Sequence, residues 1–426
     1  MRLRTNSRTT QIGNVEIHDL FHVLQLEAGF PIIRSRSNAD NNTNNSRNVS
    51  FSYSSLYAIE TQLAIIVPCM NEELHIIEGV LRGIPHHCLV ILVSNSTHEK
   101  FEHEYELLKQ LCDDTERQGI IIHQQNSALA HAFCAANMPE VVNQTTTPNH
   151  VCNGKGEAMM IGVLLAKLAN KQFVGFIDAD NLVPGSVHEY CKVFAAGINY
   201  SLSKAGQFDT TRSTQDFLLP TNSHAMVRIK WNSKAKVVDN EITFPETGRS
   251  SRVVNKWMNE LLQGIHGDGA CAEMIQTANA GEHAMDINLA LKLRFATGYA
   301  VEPFQYIDML ENFGRVSMGD YEDEASDDST VRVLQIRTLN PHFHDTGKGS
   351  DHIQQMIAQG LGTIYHSRLA QDTLKDAMDR LSPPFRGDGG IPIPQETHVY
   401  PSMRKIDLNV FRGAIGSEAM AFNYCF

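Results

Sequence analysis

The stretch FVGFIDADNLVPGSV, residues 173–187, sets two aspartates directly behind a short apolar run. An apolar run of this length, ended by polar residues and a Pro-Gly turn, is typical of a buried strand in a parallel sheet. Ligands of open α/β sheets bind at the carboxyl ends of the strands, so Asp178 and Asp180 are predicted to stand at that edge. On these residues alone a solvated turn is an equally good interpretation, because Asp and Asn favour turns.

Strand-like and helix-like segments alternate around this stretch. Strands are predicted at LAIIVPC (63–69), CLVILVSNS (88–96), GIIIHQQ (119–125) and HAMVRIKW (224–231), and helices at HIIEGVLRGI (75–84), YELLKQLCDD (105–114), GEAMMIGVLLAKLAN (156–170) and RVVNKWMNELLQGI (252–265). VEIHDLFHVLQLE (15–27) is predicted as a strand and a helix, and residues 352–381 as one helical stretch. Strands alternating with helices in short units predict the α/β class, with a doubly wound, mainly parallel sheet that binds a nucleotide.

Composition divides the chain into three predicted parts. Residues 1–60 form an N-terminal segment with an Asn/Ser-rich loop, residues 61–318 the main α/β domain, and residues 319–426 a helical and extended C-terminal extension. The acidic run GDYEDEASDDST at 319–330 marks the second boundary.

Charge and cysteine content exclude several classes of protein. A net charge of −12 argues against non-specific binding to nucleic acid, which requires basic patches. The eight cysteines include no Cys-x-x-Cys pair, so neither a disulfide framework nor a zinc knuckle is predicted. No apolar run reaches 18 residues and the N-terminus lacks a signal peptide pattern. We therefore expect a cytoplasmic protein with reduced thiols and no membrane segment.

Small polar groups also follow the first two strands of the main domain. Pro68, Asn71 and Glu72 come after the first strand, and Ser94 ends the second, where a doubly wound sheet holds a nucleotide. A polar turn that caps the next helix explains the first group better when it is taken alone. The same pattern at three strand ends favours a binding site.

Lys155 stands between two glycines, directly before a long apolar helix. Glycines let the backbone approach a ligand, the helix N-terminus attracts anions, and lysine adds a full charge, which together suit a phosphate. The segment is not a Walker A loop, because Asn149 occupies the place of that motif's first glycine. A surface lysine at a helix start is the alternative.

Two aspartates beside a phosphate site predict a divalent cation, most simply Mg²⁺, which binds one or two carboxylates and leaves other positions to water and phosphates. His342 and His344 in LNPHFHD could supply a further ligand, although histidine is more usual for Mn²⁺ or Zn²⁺. A pair of histidines taken alone is more often structural.

Two further segments complete the set of candidates. Gly248, Arg249 and Ser251 open a helix and suit a second anion, with an ordinary serine N-cap as an equal alternative. Glu282 is predicted in the first turn of another helix, where it either complements the helix dipole or holds sugar hydroxyls. A metal-binding aspartate pair with two anion sites indicates transfer from a nucleotide diphosphate donor to an anionic acceptor.

Six segments of the chain resemble the mannosyl-3-phosphoglycerate synthases, which are retaining glycosyltransferases with a GT-A fold. They are LAIIVPCMNEELHIIEGVLRGIPHHCLVILVSNS, GKGEAMMIGVLLAK, VGFIDADNLVPGSVHEY, GEHAM, FATGYAVEPF and TLNPHFHDTGKG with TIYHSRLA. The resemblance implies a cytoplasmic enzyme that transfers mannose from GDP-mannose to 3-phosphoglycerate with a divalent cation, usually Mg²⁺, in mannosylglycerate synthesis. The residues 61–318 would then be the nucleotide-sugar and acceptor domain, and the extension would complete the metal site.

The resemblance also implies a role for each candidate residue. It implies that Pro68, Asn71, Glu72 and Ser94 hold the guanosine and that Lys155 contacts the donor phosphates. It also implies the ribose or sugar at Asp178 and the mannose at Glu282. The metal is implied at Asp180 with one histidine, His342 rather than His344, and the acceptor phosphate at Gly248, Arg249 and Ser251. Of these, Asp178, Asp180, Lys155 and Glu282 form the implied catalytic set.

Three departures from the archaeal pattern of this family leave other functions open. Met70 replaces a lysine beside the nucleotide, the segment 199–224 is longer, and the Asn-rich tract near residue 40 is an insertion.

Two alternative functions are a non-catalytic nucleotide-sugar-binding homologue and a transferase that uses glycerate. A sugar-1-phosphate nucleotidyltransferase is disfavoured, because the turn after the first strand lacks the Gly-rich loop. The sequence decides neither a homodimer nor the choice between GDP-mannose and GDP-glucose.

Overall fold

A computed structural model describes residues 1–27, 47–145, 148–204, 222–238, 241–267, 273–314, 328–343, 350–382, 391–416 and 418–424. The Asn-rich tract near residue 40, most of the segment 199–224, most of the acidic run 319–330 and His344 lie outside the described residues.

The described residues form nineteen strands and twelve helices. The strands are β1 (Arg2–Thr5), β2 (Thr9–Ile12), β3 (Val15–His18), β4 (Phe21–Gln25), β5 (Arg47–Ser50), β6 (Leu63–Cys69), β7 (Leu89–Ser94), β8 (Gly119–His123), β9 (Val142–Asn143), β10 (His150–Val151), β11 (Phe173–Phe176), β12 (Ser223–Lys230), β13 (Lys236–Val238), β14 (Glu241–Thr243), β15 (His283–Asp286), β16 (Phe295–Ala296), β17 (Thr330–Arg337), β18 (Val399–Tyr400) and β19 (Met420–Phe422). The helices are α1 (Tyr53–Glu60), α2 (Leu74–Gly83), α3 (His98–Thr115), α4 (Ser127–Ala135), α5 (Lys155–Leu168), α6 (Pro184–Lys204), α7 (Arg249–His266), α8 (Ile287–Lys292), α9 (Val301–Phe313), α10 (Ser350–Tyr365), α11 (Asp372–Asp379) and α12 (Leu408–Ile415).

Thirteen strands of the described chain make one sheet. Eleven follow one another in the order β19–β8–β7–β6–β11–β15–β12–β17–β4–β1–β5, while β3 pairs with β17 and β2 with β3. The strands β8, β7, β6 and β11 are parallel to one another, and so are β12, β17, β3 and β4. This parallel centre confirms the predicted α/β class, and antiparallel pairs complete the edges.

Strand β15 is the exception inside the sheet, because it runs antiparallel to both of its neighbours, β11 and β12. His283 at its start pairs with Phe176 at the end of β11 and with Arg228 near the end of β12. The amino end of β15 therefore lies at the same edge as the carboxyl ends of the parallel strands. This orientation brings Glu282, directly before β15, to the edge where ligands are expected.

Helices cover both faces of the central strands. Neighbouring residues of β6 enter opposite apolar clusters, Ile66 together with α5 and Ile65 together with α6. Every residue of β7 is buried, and so are all but one of β6. Such continuous apolar runs are expected where a parallel strand is covered on both sides.

Three local predictions were wrong. Residues 15–27 contain two strands, β3 and β4, in place of a strand and a helix, because both join the sheet beside β17. The stretch 352–381 is interrupted, since α10 ends at Tyr365 and α11 begins at Asp372. Glu282 precedes a strand and does not belong to a helix, so a role in complementing a helix dipole is excluded.

Candidate active site

A cavity of about 570 Å³ opens along the edge where the parallel strands end. Its walls come from distant parts of the chain: the ends of β6 and β11, the starts of α5 and α7, the segments after β12 and β17, and α10. Eight predicted site residues line it, namely Pro68, Glu72, Lys155, Asp178, Asp180, Gly248, Arg249 and His342. Asn71, Ser94, Ser251 and Glu282 are not among the lining residues, and His344 lies outside the described chain.

Lys155 is the first residue of α5, and its ammonium contacts carboxylates from two other elements. It forms ion pairs with Asp178 after β11 and with Glu302 in the first turn of α9, the latter at 2.6 Å. Burial acts to lower the pKa of Lys155, but these two carboxylates outweigh burial and raise it well above its usual range. Lys155 therefore carries a permanent charge, and its position is fixed from two sides.

The loop after β11 is held in shape by one amide. The Asn181 side chain donates to the backbone carbonyl of Asp178 at 2.8 Å and to Glu282 Oε1 at 3.2 Å. Gly281 lies close behind this loop, because a Cβ atom there would stand 2.5 Å from Asp178 Oδ2. Asp180 is almost completely buried yet lines the cavity. The two aspartates thus share one wall, with Asp178 turned towards Lys155.

Glu282 is fully buried behind that wall. Its carboxylate accepts hydrogen bonds from Asn181 and, at 2.9 Å, from the indole Nε1–H of Trp231. Burial, followed by the charge of Asp178, raises the pKa of Glu282 from 4.5 to about 7. The fold therefore holds a carboxyl group that changes its charge near neutral pH, one layer away from the cavity.

His342 is held by contacts on several sides, and only 3% of its surface is exposed. Its ring stacks on Trp231 with centroids 4.0 Å apart, and its Nδ1 lies 3.2 Å from the Tyr190 hydroxyl. Its backbone is bonded on both sides, to Ser233 and Ala235. These contacts bring a histidine from the segment after β17 into the cavity that Asp180 lines.

The donor set of this wall suits a divalent cation that takes further ligands from a substrate. Asp180 supplies a carboxylate and His342 an imidazole, and both line the cavity. The described part of the chain contains no group of three or more His, Cys, Asp or Glu that could hold a metal by itself. A hard cation bound by one or two protein groups and by phosphate oxygens is an ordinary arrangement.

The turn after β6 has a left-handed residue at its centre. Asn71 has φ 66°, a conformation that asparagine tolerates better than most residues. Its backbone N–H donates to Ser96 Oγ at 2.8 Å, and its side chain accepts from the N–H of Thr97 at 3.0 Å. Ser94 is buried and accepts from the N–H of Ser96. Asn71 and Ser94 thus shape the turn, while Pro68 and Glu72 face the cavity.

The start of α7 forms another part of the cavity wall. Gly248 is its N-cap and Arg249 its first helical residue, and the glycine provides no side-chain capping bond to the N–H groups of this turn. The N-cap interpretation of the serines in this segment is therefore not supported, since Ser251 makes no capping bond. Arg249 is exposed at the rim of the cavity. Backbone N–H groups and a guanidinium at one helix end suit an anion.

The prediction from sequence missed several lining residues. The most prominent are Trp231, Lys234 and Glu302, together with His352 and Gln359 from α10. Trp231 directly follows β12, so the rule that pointed to Asp178 at the end of a strand applies to it as well. Glu302 carried a weaker signal, because it is one of three carboxylates in α9, together with Asp308 and Glu311. No described helix combines the length and apolar character needed to cross a membrane.

Comparison with known proteins gives one consistent result. Residues 5–415 match the family model described as mannosyl-3-phosphoglycerate synthase. A protein of that name from Pyrococcus furiosus is 37% identical over 324 residues, which is 75% of each chain. Another from Aeropyrum pernix is 32% identical over 381 residues, which is 88% of each chain. Among solved structures, one match is glucosyl-3-phosphoglycerate synthase from Mycobacterium tuberculosis in complex with Mn²⁺, UDP-glucose and phosphoglyceric acid. It is 17% identical, with a TM-score of 0.47, and the match covers 84% of this chain and 95% of that one.

Proposed function

The chain belongs to the mannosyl-3-phosphoglycerate synthase family, and from this premise we propose that the cavity binds GDP-mannose, a divalent cation and 3-phosphoglycerate together. The chain is a glycosyltransferase that forms mannosyl-3-phosphoglycerate. One observation carries the assignment of the site. Asp178, Asp180, Lys155 and His342, from three separate segments, line the same cavity as the start of α7, where we place an anion.

The nucleotide end of the donor is assigned to the turn after β6. Pro68 and Glu72 line this part of the cavity, and the Glu72 carboxylate accepts from the backbone N–H of Met70 at 2.5 Å. Asn71 and Ser94 support the guanosine indirectly, because their hydrogen bonds shape the turn. Met70 is half exposed beside this position and adds no charge there.

The cation is assigned to Asp180 and His342, with Mg²⁺ or Mn²⁺ as the ions this donor set suits. When bound, the ion neutralises charge that develops on the departing diphosphate. Stacking on Trp231 and the contact with the Tyr190 hydroxyl fix the orientation of the His342 ring. Orienting contacts of this kind commonly matter for metal affinity as much as the ligands themselves.

The reaction we propose is a displacement on one face of the sugar, with retention. The bond between the mannose C1 and the donor phosphate oxygen breaks, a bond to the acceptor hydroxyl oxygen forms, and the hydroxyl proton passes to the departing phosphate. Lys155 stabilises the GDP that leaves, and Asp178 holds Lys155 in place. Glu282 is buried behind the wall and is not among the lining residues, which favours a positioning role over that of a nucleophile.

The acceptor phosphate is assigned to Gly248 and Arg249 at the start of α7, with Ser251 in the same turn. Lys155 and the start of α7 are different elements that line the same cavity, so we assign the donor and acceptor phosphates to separate anion sites. We place the reaction in the cytoplasm, where the nucleotide sugar and 3-phosphoglycerate are available. A homodimer stays a prediction.

The test is release of GDP from GDP-mannose and Mg²⁺, with 3-phosphoglycerate or D-glycerate as acceptor. The wild-type protein is expected to release GDP with 3-phosphoglycerate, and Asp180→Asn to lose on the order of 10²–10³ in turnover. Asp113→Asn, an exposed aspartate of α3, is the matched control and should retain full activity. Release with glycerate alone would refute the acceptor assignment, and nucleotide binding without turnover would refute the enzymatic one.

A further inference from the structure

Three lysine or arginine residues line the described part of the cavity: Lys155, Lys234 and Arg249. Lys155 is engaged by the carboxylates of Asp178 and Glu302. At neutral pH 3-phosphoglycerate carries a phosphate with a charge near −2 and a carboxylate. Arg249 alone, exposed at the rim, would leave much of this charge unbalanced. Lys234 is the third cation that the described part of the cavity offers.

The backbone of Lys234 is fixed between two segments of the site. Its N–H donates to the carbonyl of Pro245 at 2.7 Å, in the segment that leads to α7. On its other side it forms a parallel bridge with His342, and the next N–H, of Ala235, donates to the His342 carbonyl at 3.0 Å. Lys234 thus stands where the metal wall and the acceptor wall meet.

The side chain of Lys234 rests on an aromatic platform. Its ammonium lies 4.9 Å from the centroid of the Trp231 ring, a favourable cation–π distance. The platform itself is held in place, because Trp231 stacks on His342 and donates its Nε1–H to Glu282. A flexible lysine side chain loses much of its rotamer freedom on such a surface, which prepares its charge for a ligand.

The side chain of Lys234 lies alongside Gly248 at the start of α7. Lys234 Nζ is 3.7 Å, and Cδ 3.5 Å, from the position that a Cβ atom would take at Gly248. It therefore stands beside the N-cap residue of α7, and Arg249 is the next residue of the chain. Two cations and a helix N-terminus thus line the same cavity.

We propose that Lys234 is a direct ligand of the acceptor phosphate, sharing it with Arg249 and the first N–H groups of α7, and that Trp231 is the positioning residue that holds it. The inference rests on the proposed function and adds a specificity-determining residue to it. Lys234 contributes a point charge from the inner side of the cavity, and Arg249 a guanidinium from the rim. Trp231 then connects the acceptor site to His342 and to Glu282 through one ring.

The experiment compares Lys234→Met, which keeps a long apolar side chain over Trp231, with Lys234→Arg, which keeps the charge. Lys256→Met is the matched control, because Lys256 also lies over an indole, that of Trp257, on the exposed side of α7. Steady-state kinetics give KM for 3-phosphoglycerate and for GDP-mannose separately. Calorimetric titration with GDP and Mg²⁺ measures the donor site of each variant.

Lys234→Met is expected to raise KM for 3-phosphoglycerate about 10- to 100-fold, the loss typical of a hydrogen bond to a charged group. The GDP affinity of Lys234→Met and its KM for GDP-mannose should stay within about twofold of the wild-type values. Lys234→Arg should restore most of the KM for 3-phosphoglycerate, and Lys256→Met should match the wild type in all three values. An unchanged KM for 3-phosphoglycerate in Lys234→Met would overturn the inference and leave a packing role. A loss of GDP affinity would overturn it in favour of the donor diphosphate. A wild-type protein that does not use 3-phosphoglycerate would refute the proposed function itself, and this inference with it.

Discussion

Replacing Glu282 by glutamine should make the stability of the protein less dependent on pH. Glu282 is fully buried, and burial together with Asp178 raises its pKa from 4.5 to about 7. Glutamine has nearly the same shape and never ionises. The difference in the free energy of unfolding between the two proteins, compared across pH, therefore measures the free-energy cost of burying an ionised carboxylate at this position.

The sign and size follow from the two pKa values. In the unfolded chain the carboxyl loses its proton near pH 4.5, whereas in the folded protein it keeps the proton until about pH 7. Between these values the folded state binds more protons, so the free energy of unfolding falls as the pH rises. A difference from 4.5 to about 7 corresponds to roughly 3 kcal/mol, at about 1.4 kcal/mol for each pKa unit. The contribution is fully present below pH 4.5 and is lost above pH 7.

The assay is urea unfolding of the metal-free protein, followed by tryptophan fluorescence, for the wild type and Glu282→Gln at pH 5 and pH 8. At pH 5 the two should differ only by the exchange of a carboxylic acid for an amide. Between pH 5 and pH 8 the wild type should lose roughly 3 kcal/mol more than the variant. Asp308, whose pKa burial raises to about 6, titrates in both proteins, so its contribution cancels. An equal loss in the two proteins would show that Glu282 is ionised throughout and would refute the reasoning.

Two further predictions concern Gly281, which lines the cavity, and Tyr400, which contacts α5. Gly281→Ala places a Cβ atom 2.5 Å from Asp178 Oδ2, so we expect turnover in the GDP-release assay to fall by on the order of 10²-fold. Gly413→Ala, in open space on α12, is the control and should retain full turnover in the same assay. Tyr400→Phe removes a hydroxyl that donates to buried Glu157 at 2.6 Å, which should lower the free energy of unfolding in urea by about 1–3 kcal/mol; an unchanged value would mean that water replaces the hydroxyl.

The sequence was informative at three strand ends of the main domain, although it missed Trp231 after β12. The strands ending near Pro68, Ser94 and Asp178 were predicted from apolar runs alone, and Lys155 from the glycines beside it. These signals are local, since each uses fewer than ten consecutive residues. The rule that parallel strands present their carboxyl ends on one edge then converts separate segments into one site.

The features of the site that the sequence did not predict depend on contacts between residues that are distant along the chain. Glu302 reaches Lys155 across 147 positions of sequence, counted as 302 minus 155, and no local pattern specifies that pairing. The direction of β15 was also not predictable, because its four residues, His283–Asp286, contain no local signal for parallel or antiparallel pairing. Glu282 was therefore assigned to the first turn of a helix, although the antiparallel pairing of β15 brings it to the ligand edge.

The distribution of charge in the cavity explains why a cation belongs on one side only. Among the described lining residues, the donor side and its neighbour α9 carry the carboxylates Glu72, Asp178, Asp180 and Glu302, against the single ammonium of Lys155. A diphosphate brought to this wall alone would meet more negative than positive charge, and in a partly buried site this repulsion is only weakly screened. A divalent cation at the proposed position beside Asp180 would reduce the excess of negative charge on this wall from three (four carboxylates minus one ammonium) to one. The acceptor side has Lys234, Arg249 and the start of α7, and these groups can balance a phosphate without a metal. Under the proposed assignment one cavity would therefore bind two anions by different means, and this difference would distinguish the donor position from the acceptor position.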